Sequence, residues 1–179
     1  METKRIEDYI KVYDDVIPNN LCDELIAKYH KSDPEFVNHE GRPKFHHLTL
    51  DPDISKSLLE IVRFSLVKYA NTTGLVSWMP EKYAVEDFRI KRYRMGTDDR
   101  FSPHVDVGDH ASARRFLAFF MYLNTVDEGG ETNFTSINKK VKAKKGRLLI
   151  FPPLWTFPHE GKPAISEDKY IVGSYLHYT

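Results

Sequence analysis

The spacing of apolar positions divides the chain into a helical N-terminal part and a strand-rich remainder that begins near Ala84. The run Ile10–Ile17 predicts a first strand, which Pro18 stops. A helix follows, because Asn19 or Asn20 can cap it and the apolar residues after them recur at helical spacing. The N-terminal part therefore opens as a strand followed by a helix.

Two longer segments complete the N-terminal part. A second predicted helix opens at Ser55 or Ser57, carries one apolar stripe and ends at Asn71–Gly74, so it should lie against a sheet. The segment His30–Asp53 carries three prolines and a glycine without periodicity, and we interpret it as a loop. Its length raises the hypothesis that it closes as a lid over a bound peptide.

Antiparallel strands are predicted in the remainder of the chain, where short apolar runs alternate with turn residues. In the first of them, Phe88 and Ile90 share one face. Arg89, Lys91 and Tyr93 share the other face, which can line a polar cavity with Tyr93 pointing inward while the helices cover the first face. The predicted strands are Asp87–Arg94, Arg115–Leu123, Thr132–Phe134, Lys139–Ala143, Arg147–Phe151, Trp155–His159 and Lys169–Tyr178.

Length and composition limit the possible classes of protein. The 179 residues suit a single domain, with a strand and supporting helices in residues 1–83 and the strand-rich core in residues 84–179. We therefore expect an α+β fold class, in the sense of an all-β core with N-terminal helices. Basic and acidic residues number 26 each, so the chain has no gross attraction to nucleic acid or anionic lipid.

Three features of the sequence bear on localisation. The longest apolar run, Phe116–Leu123, is much shorter than the roughly 20 residues that span a bilayer, so no membrane segment is expected. The N-terminus carries acids where a secretion signal would carry apolar residues, and Cys22 is the only cysteine. We therefore expect a cytoplasmic protein without an intrachain disulfide.

A metal site is indicated by His104 and Asp106, which stand two residues apart in extended chain and can bind one ion from the same face. By itself this pair is close to a chance match. His159, 55 residues downstream in a separate predicted strand, would complete a set of two histidines and one carboxylate. That set suits non-haem iron(II) and leaves three coordination positions open. The three residues are therefore candidate iron ligands and the candidate catalytic centre.

Lys169 opens the last predicted strand, ten residues after His159, where a fixed cation can hold the far carboxylate of a chelating keto acid. Strand alternation places Lys169, Gly173 and His177 on one face. A cation, a gap without a side chain and an imidazole together are typical of a pocket wall. The alternative is an edge strand with a solvated lysine and histidine.

Seven short motifs follow one another in the order of a known family, and on them the chain resembles the iron(II)- and 2-oxoglutarate-dependent dioxygenases of the prolyl 4-hydroxylase-like branch. The resemblance implies a double-stranded β-helix, the jelly-roll core also seen in cupins. It implies Fe(II), 2-oxoglutarate and O2 as cofactors, with ascorbate as a further candidate. The motifs are Tyr93-Arg94-Met95-Gly96, Phe101-Ser102-Pro103-His104-Val105-Asp106, Tyr122-Leu123-Asn124, Gly129-Gly130-Glu131-Thr132-Asn133-Phe134, Gly146-Arg147-Leu148-Leu149-Ile150-Phe151-Pro152, His159-Glu160-Gly161-Lys162-Pro163 and Lys169.

The same resemblance implies a reaction and the residues that support it. 2-Oxoglutarate is decarboxylated to succinate and CO2 while an unactivated C–H bond is hydroxylated, in this branch at C4 of a peptidyl proline. His104, Asp106 and His159 would bind the iron, and Lys169 would pair with the distal carboxylate of 2-oxoglutarate. Further positions that match those holding the cosubstrate are Tyr93, Tyr122 and Thr132.

Substrate contacts are implied at Arg115 and His177, which match positions that touch the peptide in algal prolyl 4-hydroxylases. Tyr175, where these enzymes usually have tryptophan, is a third candidate and indicates an altered proline pocket. Phe101 stands where many members have tyrosine. Arg115 has the opposite strand parity to Tyr122 unless a bulge intervenes. We expect the substrate to be a peptide or protein that contains proline.

The sequence leaves other functions open. A hydroxylase of a free amino acid or other small molecule would use the same iron and cosubstrate. A nucleic-acid demethylase is disfavoured, because that branch typically places arginine at the position of Lys169 and the net charge is zero, although the basic run Lys139–Arg147 leaves it open. A non-catalytic module that binds metal or protein would require lost ligands, and all three ligands are present.

Overall fold

Residues 4–39 and 42–179 are described by the structure, a computed structural model, and form two α-helices and twelve strands. Within these residues no helix is both long enough and apolar enough to cross a bilayer. The helices are α1 (Asn19–Lys31) and α2 (Pro52–Thr73), with 3₁₀ turns at Ile6–Tyr9 and Val76–Trp78. The strands are β1 (Lys11–Tyr13), β2 (Glu35–His39), β3 (Arg42–Thr49), β4 (Tyr83–Val85), β5 (Arg89–Tyr93), β6 (Phe101–His104), β7 (Arg115–Tyr122), β8 (Thr132–Phe134), β9 (Lys139–Val141), β10 (Leu148–Phe151), β11 (His159–Gly161) and β12 (Lys169–Tyr178).

The strands pair into two antiparallel sheets. The larger has the order β1-β10-β7-β12-β5-β3-β2, with β4 attached to β12, and the smaller has the order β6-β11-β8-β9. The two sheets share one apolar core, to which the larger contributes Phe120 and Phe151 and the smaller contributes Phe134. Two packed antiparallel sheets with N-terminal helices confirm the predicted all-β core.

The helices cover the other face of the larger sheet. Leu58 and Val62 of α2 belong to one buried cluster with Ile90 of β5 and Phe119 of β7. Burial of each such side chain contributes about 1.5–3 kcal/mol. Tyr93 of β5 lies in the core between the sheets instead. The alternation predicted for β5 is confirmed, and it places an inward-facing polar wall on this strand.

A bulge between β7 and β12 sets the face on which Arg115 lies. Ile171 of β12 lies opposite Tyr122 of β7, and six residues later His177 lies opposite Arg115. Tyr122 lies seven positions after Arg115, an odd number that would place the two side chains on opposite faces of a regular strand. The register shift by one residue places both side chains on the same face. The bulge therefore allows the Arg115 side chain to face the interior.

Two N-terminal elements differ from their predicted limits. The predicted strand Ile10–Ile17 is shorter, because Asp15 takes a left-handed φ of +57° and turns the chain after β1. The second helix begins earlier than predicted, because Asp51 caps it by accepting a hydrogen bond from Ile54 N at 3.2 Å. Proline at the first helical position, Pro52, favours the same start.

The interpretation of His30–Asp53 as a loop is wrong, because this segment contributes the hairpin β2–β3. Strand β3 pairs with β5 in regular register, with His46 opposite Arg92. Phe45 of β3 is buried between the sheets. The hairpin therefore extends the wall of the sheet rather than lying over it as a free lid. Residues 40 and 41, which fall within the segment interpreted as a loop, lie outside the described residues.

The short strands of the smaller sheet also depart from the sequence pattern. The predicted strand Trp155–His159 is a turn closed by a hydrogen bond from Phe157 N to Leu154 O, and β11 begins only at His159. The pattern does not predict β4 or β6. Strand β6 contains Pro103, which lies at the edge of the sheet, where a missing N–H donor is tolerated.

Three residues of the basic run Lys139–Arg147 form ion pairs within the chain. Arg147 donates to both carboxylate oxygens of Asp14, at 2.6 and 3.1 Å, and Lys144 donates to the same group at 3.2 Å. Lys145 donates to Asp23 at 2.6 Å. Lys144, Lys145 and Arg147 are therefore already paired, which leaves fewer free positive charges for an acidic partner.

We predict that Gly74→Ala lowers the free energy of unfolding by about 1–2 kcal/mol, because Gly74 ends α2 at a φ of +73°, which a Cβ disfavours. Urea unfolding monitored by circular dichroism measures the change. Gly108→Ala is the matched control, since a Cβ there also meets nothing within 4 Å and the backbone is not left-handed. Equal effects of the two substitutions would contradict this account of the helix end.

Candidate active site

The three candidate metal ligands lie where two short strands of the smaller sheet meet. His104 ends β6 and His159 begins β11, and the antiparallel register places these two residues directly opposite each other. Asp106 follows in a bend just after β6. Strand pairing therefore brings together residues that lie 55 positions apart in the sequence.

The ligand atoms face one another at short range. His104 Nε2 lies 3.3 Å from Asp106 Oδ1, and His159 Nε2 lies 3.4 Å from Asp106 Oδ2. One nitrogen or oxygen from each residue lies within 4.8 Å of the other two. Asp106 and His159 are both buried. The three side chains thus form a compact cluster that water reaches poorly.

Backbone carbonyls fix which nitrogen of each imidazole carries the proton. His104 Nδ1 donates to Ser102 O at 2.8 Å, and His159 Nδ1 donates to Phe157 O at 3.1 Å. Because a carbonyl oxygen only accepts, each neutral ring presents the lone pair of its Nε2 atom to the centre of the cluster. Burial lowers the pKa of His159 to about 4, which keeps that ring neutral near pH 7.

The centre of this cluster fits a metal cation. His104 Nε2, Asp106 Oδ2 and His159 Nε2 are buried and have no hydrogen-bond partner among the described residues. An unsatisfied buried polar group costs about 1–3 kcal/mol, and here three acceptors converge. Two imidazole nitrogens and one carboxylate are the donor set that non-haem Fe(II) takes, with positions left open for other ligands.

Phenyl rings enclose the cluster. Phe101 stacks on the His104 ring, with centroids 3.5 Å apart and planes 10° from parallel. Phe151 and Phe134 approach the His159 ring edge-on or tilted, at 4.8 and 5.8 Å. Such a shell orients the imidazoles and lowers the local dielectric constant, which strengthens electrostatic interactions inside it.

Of the three residues predicted to contact substrate, Arg115 and Tyr175 lie beside Asp106, and His177 lies near the end of β12. The Tyr175 hydroxyl donates to Asp106 Oδ1 at 2.9 Å. Arg115 donates to Asp106 O at 3.0 Å and to both oxygens of Glu86 at 2.6 and 2.9 Å, and its guanidinium covers the Tyr175 ring at 4.0 Å. His177 lies opposite Arg115 and is half-buried. Two of the three therefore hold Asp106 in place.

Lys169 lies deep between the sheets, at the start of β12 and opposite Tyr93. It is 1% exposed, and its ammonium lies 5.0 Å from the Tyr93 ring and 5.9 Å from the Tyr122 ring. Burial lowers the pKa of Lys169 to about 7, although the nearby charge of Glu131 opposes this shift. The ammonium has no hydrogen bond or ion pair to any described residue. A cation in such a place requires an anion.

One cavity joins the metal cluster to the Lys169 ammonium. Tyr93 and Thr132 line it, and Thr132 Oγ1 is hydrogen-bonded to the Tyr122 hydroxyl at 2.7 Å. All four residues predicted to hold the cosubstrate thus lie in or against this cavity. Lys91 also lines it, and sequence reasoning assigned this residue no role. Strand alternation had placed Lys91 on the cavity face, but its lack of an acidic partner is visible only in three dimensions.

Sequence comparison connects the chain with a family of oxygenases. The profile of the 2OG-Fe(II) oxygenase superfamily matches residues 88–177. The chain is 28% identical over 118 residues to Probable prolyl 4-hydroxylase 9 of Arabidopsis thaliana, covering 51% of this chain and 40% of that protein. It is 25% identical over 130 residues to Prolyl 4-hydroxylase 13 of the same plant, covering 58% and 46%. The matches thus span less than half the length of these relatives.

Solved structures of prolyl hydroxylases have the same fold. The viral collagen prolyl hydroxylase of Paramecium Bursaria Chlorella virus-1, in complex with 2OG, gives a TM-score of 0.76 at 22% identity over 96% of this chain and 97% of that one. A Pseudomonas putida prolyl-4-hydroxylase gives 0.72 at 17% identity, covering 96% and 93%. A Trichoplax adhaerens prolyl hydroxylase, bound to a hypoxia inducible factor peptide, gives 0.75 at 17% identity, covering 95% and 84%. The likeness confirms the predicted double-stranded β-helix.

We predict that Tyr175→Phe weakens metal binding by about tenfold, because it removes the hydroxyl that orients Asp106 while keeping the ring. Titration with Co(II), followed by its visible absorption, measures the affinity. Tyr178→Phe, at an exposed position on the same strand, is the control and should leave the affinity unchanged. Equal affinities in all three proteins would show that the Tyr175 hydroxyl does not position the ligand.

Proposed function

Because the chain belongs to the 2OG-Fe(II) oxygenase superfamily, we propose that it hydroxylates peptidyl proline at C4 with Fe(II), 2-oxoglutarate and O2 and releases succinate and CO2. The observation that carries this function is a single cavity with three convergent acceptor atoms at one side and a buried, unpaired ammonium at another. Such a cavity suits a metal ion together with an anionic chelator.

In this proposal His104, Asp106 and His159 hold the iron. Iron(II) bound there supplies open coordination positions for cosubstrate and O2, and with them the oxidising chemistry. The two imidazoles would direct their Nε2 lone pairs at the metal, because Ser102 O and Phe157 O hold the Nδ1 protons. The phenyl shell excludes water, which limits side reactions at an oxidising centre.

Lys169 would bind the distal carboxylate of 2-oxoglutarate. The side chain is already desolvated, so a carboxylate placed beside it forms a charge-assisted hydrogen bond in a medium of low dielectric constant. That carboxylate would also raise the depressed pKa of Lys169 and keep the ammonium charged. Tyr93 and the hydrogen-bonded pair Tyr122–Thr132 would form the walls around the cosubstrate.

The prolyl substrate is supported by the relatives, since both plant proteins and all three solved structures carry the name of prolyl hydroxylases. Arg115, Tyr175 and His177 are the proposed substrate contacts. Arg115 and Tyr175 also donate hydrogen bonds to Asp106, so their contacts with the substrate would be fixed in position relative to this candidate iron ligand. Ascorbate, expected from the family resemblance, stays a prediction.

Lys169→Met is expected to raise the dissociation constant of 2-oxoglutarate at least tenfold and to leave iron binding nearly unchanged, since a hydrogen bond to a charged group contributes about 1.5–3 kcal/mol. Anaerobic titration of the iron-loaded protein with 2-oxoglutarate, followed by the visible absorption of the chelate, measures the cosubstrate affinity, and titration of the metal-free protein with Co(II) measures the metal affinity. Lys56→Met, an exposed change on α2, is the control. Equal loss of iron and of cosubstrate would contradict the assigned role.

Proline hydroxylation is tested directly by adding O2 and proline-rich peptides to the iron- and 2-oxoglutarate-loaded protein. Mass spectrometry should show a gain of one oxygen on proline in the wild type and none in Asp106→Ala, which loses the metal-binding carboxylate. Fragmentation with authentic standards locates the hydroxyl at C4. Turnover of 2-oxoglutarate with no oxidised peptide would remove the prolyl assignment and retain the oxygenase.

A further inference from the structure

Lys91 is a second ammonium in the cavity, and the proposed chemistry leaves it without a role. It lies on β5 between Arg89 and Tyr93 on the face that lines the cavity. Its Nζ atom lies 5.2 Å from the centre of the Phe45 ring and 5.9 and 5.8 Å from those of Phe101 and Phe120. Burial among these rings lowers the pKa of Lys91. The half-buried side chain is thus surrounded by aromatic rings, whose faces attract the cation but do not neutralise its charge.

The described residues provide Lys91 with no ion pair or hydrogen bond. The carboxylate that acts on it electrostatically is that of Asp106, which is directed toward the two histidines and Tyr175. Arg89, two residues away on the same face, likewise forms no ion pair with any described residue. By contrast, Arg92 on the opposite face of β5 pairs with Asp168 at 2.6 Å.

Lys91 also lines a second cleft next to the cavity. The basic cleft is lined by His47, Arg89, Lys91 and Arg115, with apolar surface from Phe45. Arg115 is neutralised by Glu86, whereas Lys91 and Arg89 have no ion pair with a described residue. The cleft therefore offers a bound substrate two cations without a described counter-charge.

The charges of the loaded site leave Lys91 in excess. If the proposed function holds, the two positive charges of iron(II) and the charge of Lys169 balance Asp106 and the two carboxylates of 2-oxoglutarate inside the cavity; Glu131, which acts on Lys169 from a distance, does not line the cavity. The Lys91 ammonium then has no counter-charge, although the chain as a whole is neutral. A half-buried cation without a counter-charge favours an anionic partner, and an anionic group on the substrate would supply one.

We propose that the substrate presents a carboxylate close to the carbon that is hydroxylated, and that Lys91 binds this carboxylate while Arg89 attracts it into the basic cleft. The inference rests on the proposed function, because it takes the iron and the cosubstrate as already bound. In a peptide, the carboxylate belongs to an acidic residue beside the target proline. In a small substrate, it is the α-carboxylate of the amino acid itself.

Matched ligand pairs test this assignment by binding rather than by turnover. The protein is loaded anaerobically with iron(II) and 2-oxoglutarate, and ligands compete with a fluorescent acidic proline peptide in an anisotropy assay. One pair is a capped proline peptide with Asp or Asn beside the proline, and the other is free proline or prolinamide. We expect the carboxylate member of at least one pair to bind about tenfold more tightly than its amide, and the pair that discriminates identifies the source of the carboxylate.

Variants of Lys91 then assign the preference to this side chain. Lys91→Met should bring the affinity ratio close to one, and Lys91→Arg should retain most of the preference. Lys82→Met, an exposed change that precedes β4, should behave as the wild type. The chelate absorption, recorded in every variant, should show unchanged affinity for 2-oxoglutarate.

Three results would overturn the inference: no preference for carboxylate in the wild type, a preference that survives Lys91→Met, or a loss of 2-oxoglutarate affinity in Lys91→Met with the ratio unchanged. The last result would make Lys91 a cosubstrate ligand. A preference that depends on Lys91 without any proline oxidation after O2 is added would support the inference and contradict the prolyl assignment. The two proposals can therefore fail separately.

Discussion

The structure depends on three acceptor atoms that converge with no donor among the described residues. His104 Nε2, Asp106 Oδ2 and His159 Nε2 lie buried at the meeting of two strands, and both imidazole protons are held on the opposite nitrogen by backbone carbonyls. Only a cation satisfies all three lone pairs together. The register of β6 and β11, the phenyl rings around the imidazoles and the Tyr175 hydroxyl all serve to keep this arrangement fixed.

The chemistry is divided between the two sheets. The smaller sheet carries the candidate iron ligands, and the larger carries the cations Lys91 and Lys169 on the adjacent strands β5 and β12. The cavity lies between the sheets, so negative groups of bound molecules would be held between a metal and two ammonium groups. Tyr175 connects the halves, because it belongs to the larger sheet and donates to Asp106 beside the smaller one. The spacing of the sheets therefore sets the size of the molecules that fit.

Much of this arrangement could be predicted from local pattern, and the rest depended on contacts distant in sequence. The last strand was predicted with its observed limits, and the spacing of His104 and Asp106 together with the family resemblance identified the three iron-ligand candidates. The segment His30–Asp53 was misread because β3 is stabilised by pairing with β5, which no local periodicity reveals. Strand β6 was likewise not predicted, because Pro103 interrupts its pattern and is tolerated only because β6 is an edge strand. Lys91 could be placed on the cavity face, but its significance depends on partners that the sequence does not show.

Electron paramagnetic resonance of Mn(II) tests the metal site without turnover, because free and bound Mn(II) give different signals. We expect the wild-type protein to bind one Mn(II) ion and His159→Ala, checked for folding by circular dichroism, to bind none at the same concentrations. Adding 2-oxoglutarate should change the spectrum of the bound ion in the wild type. Equal Mn(II) binding by a folded His159→Ala protein would contradict the assignment of these three residues as the metal site.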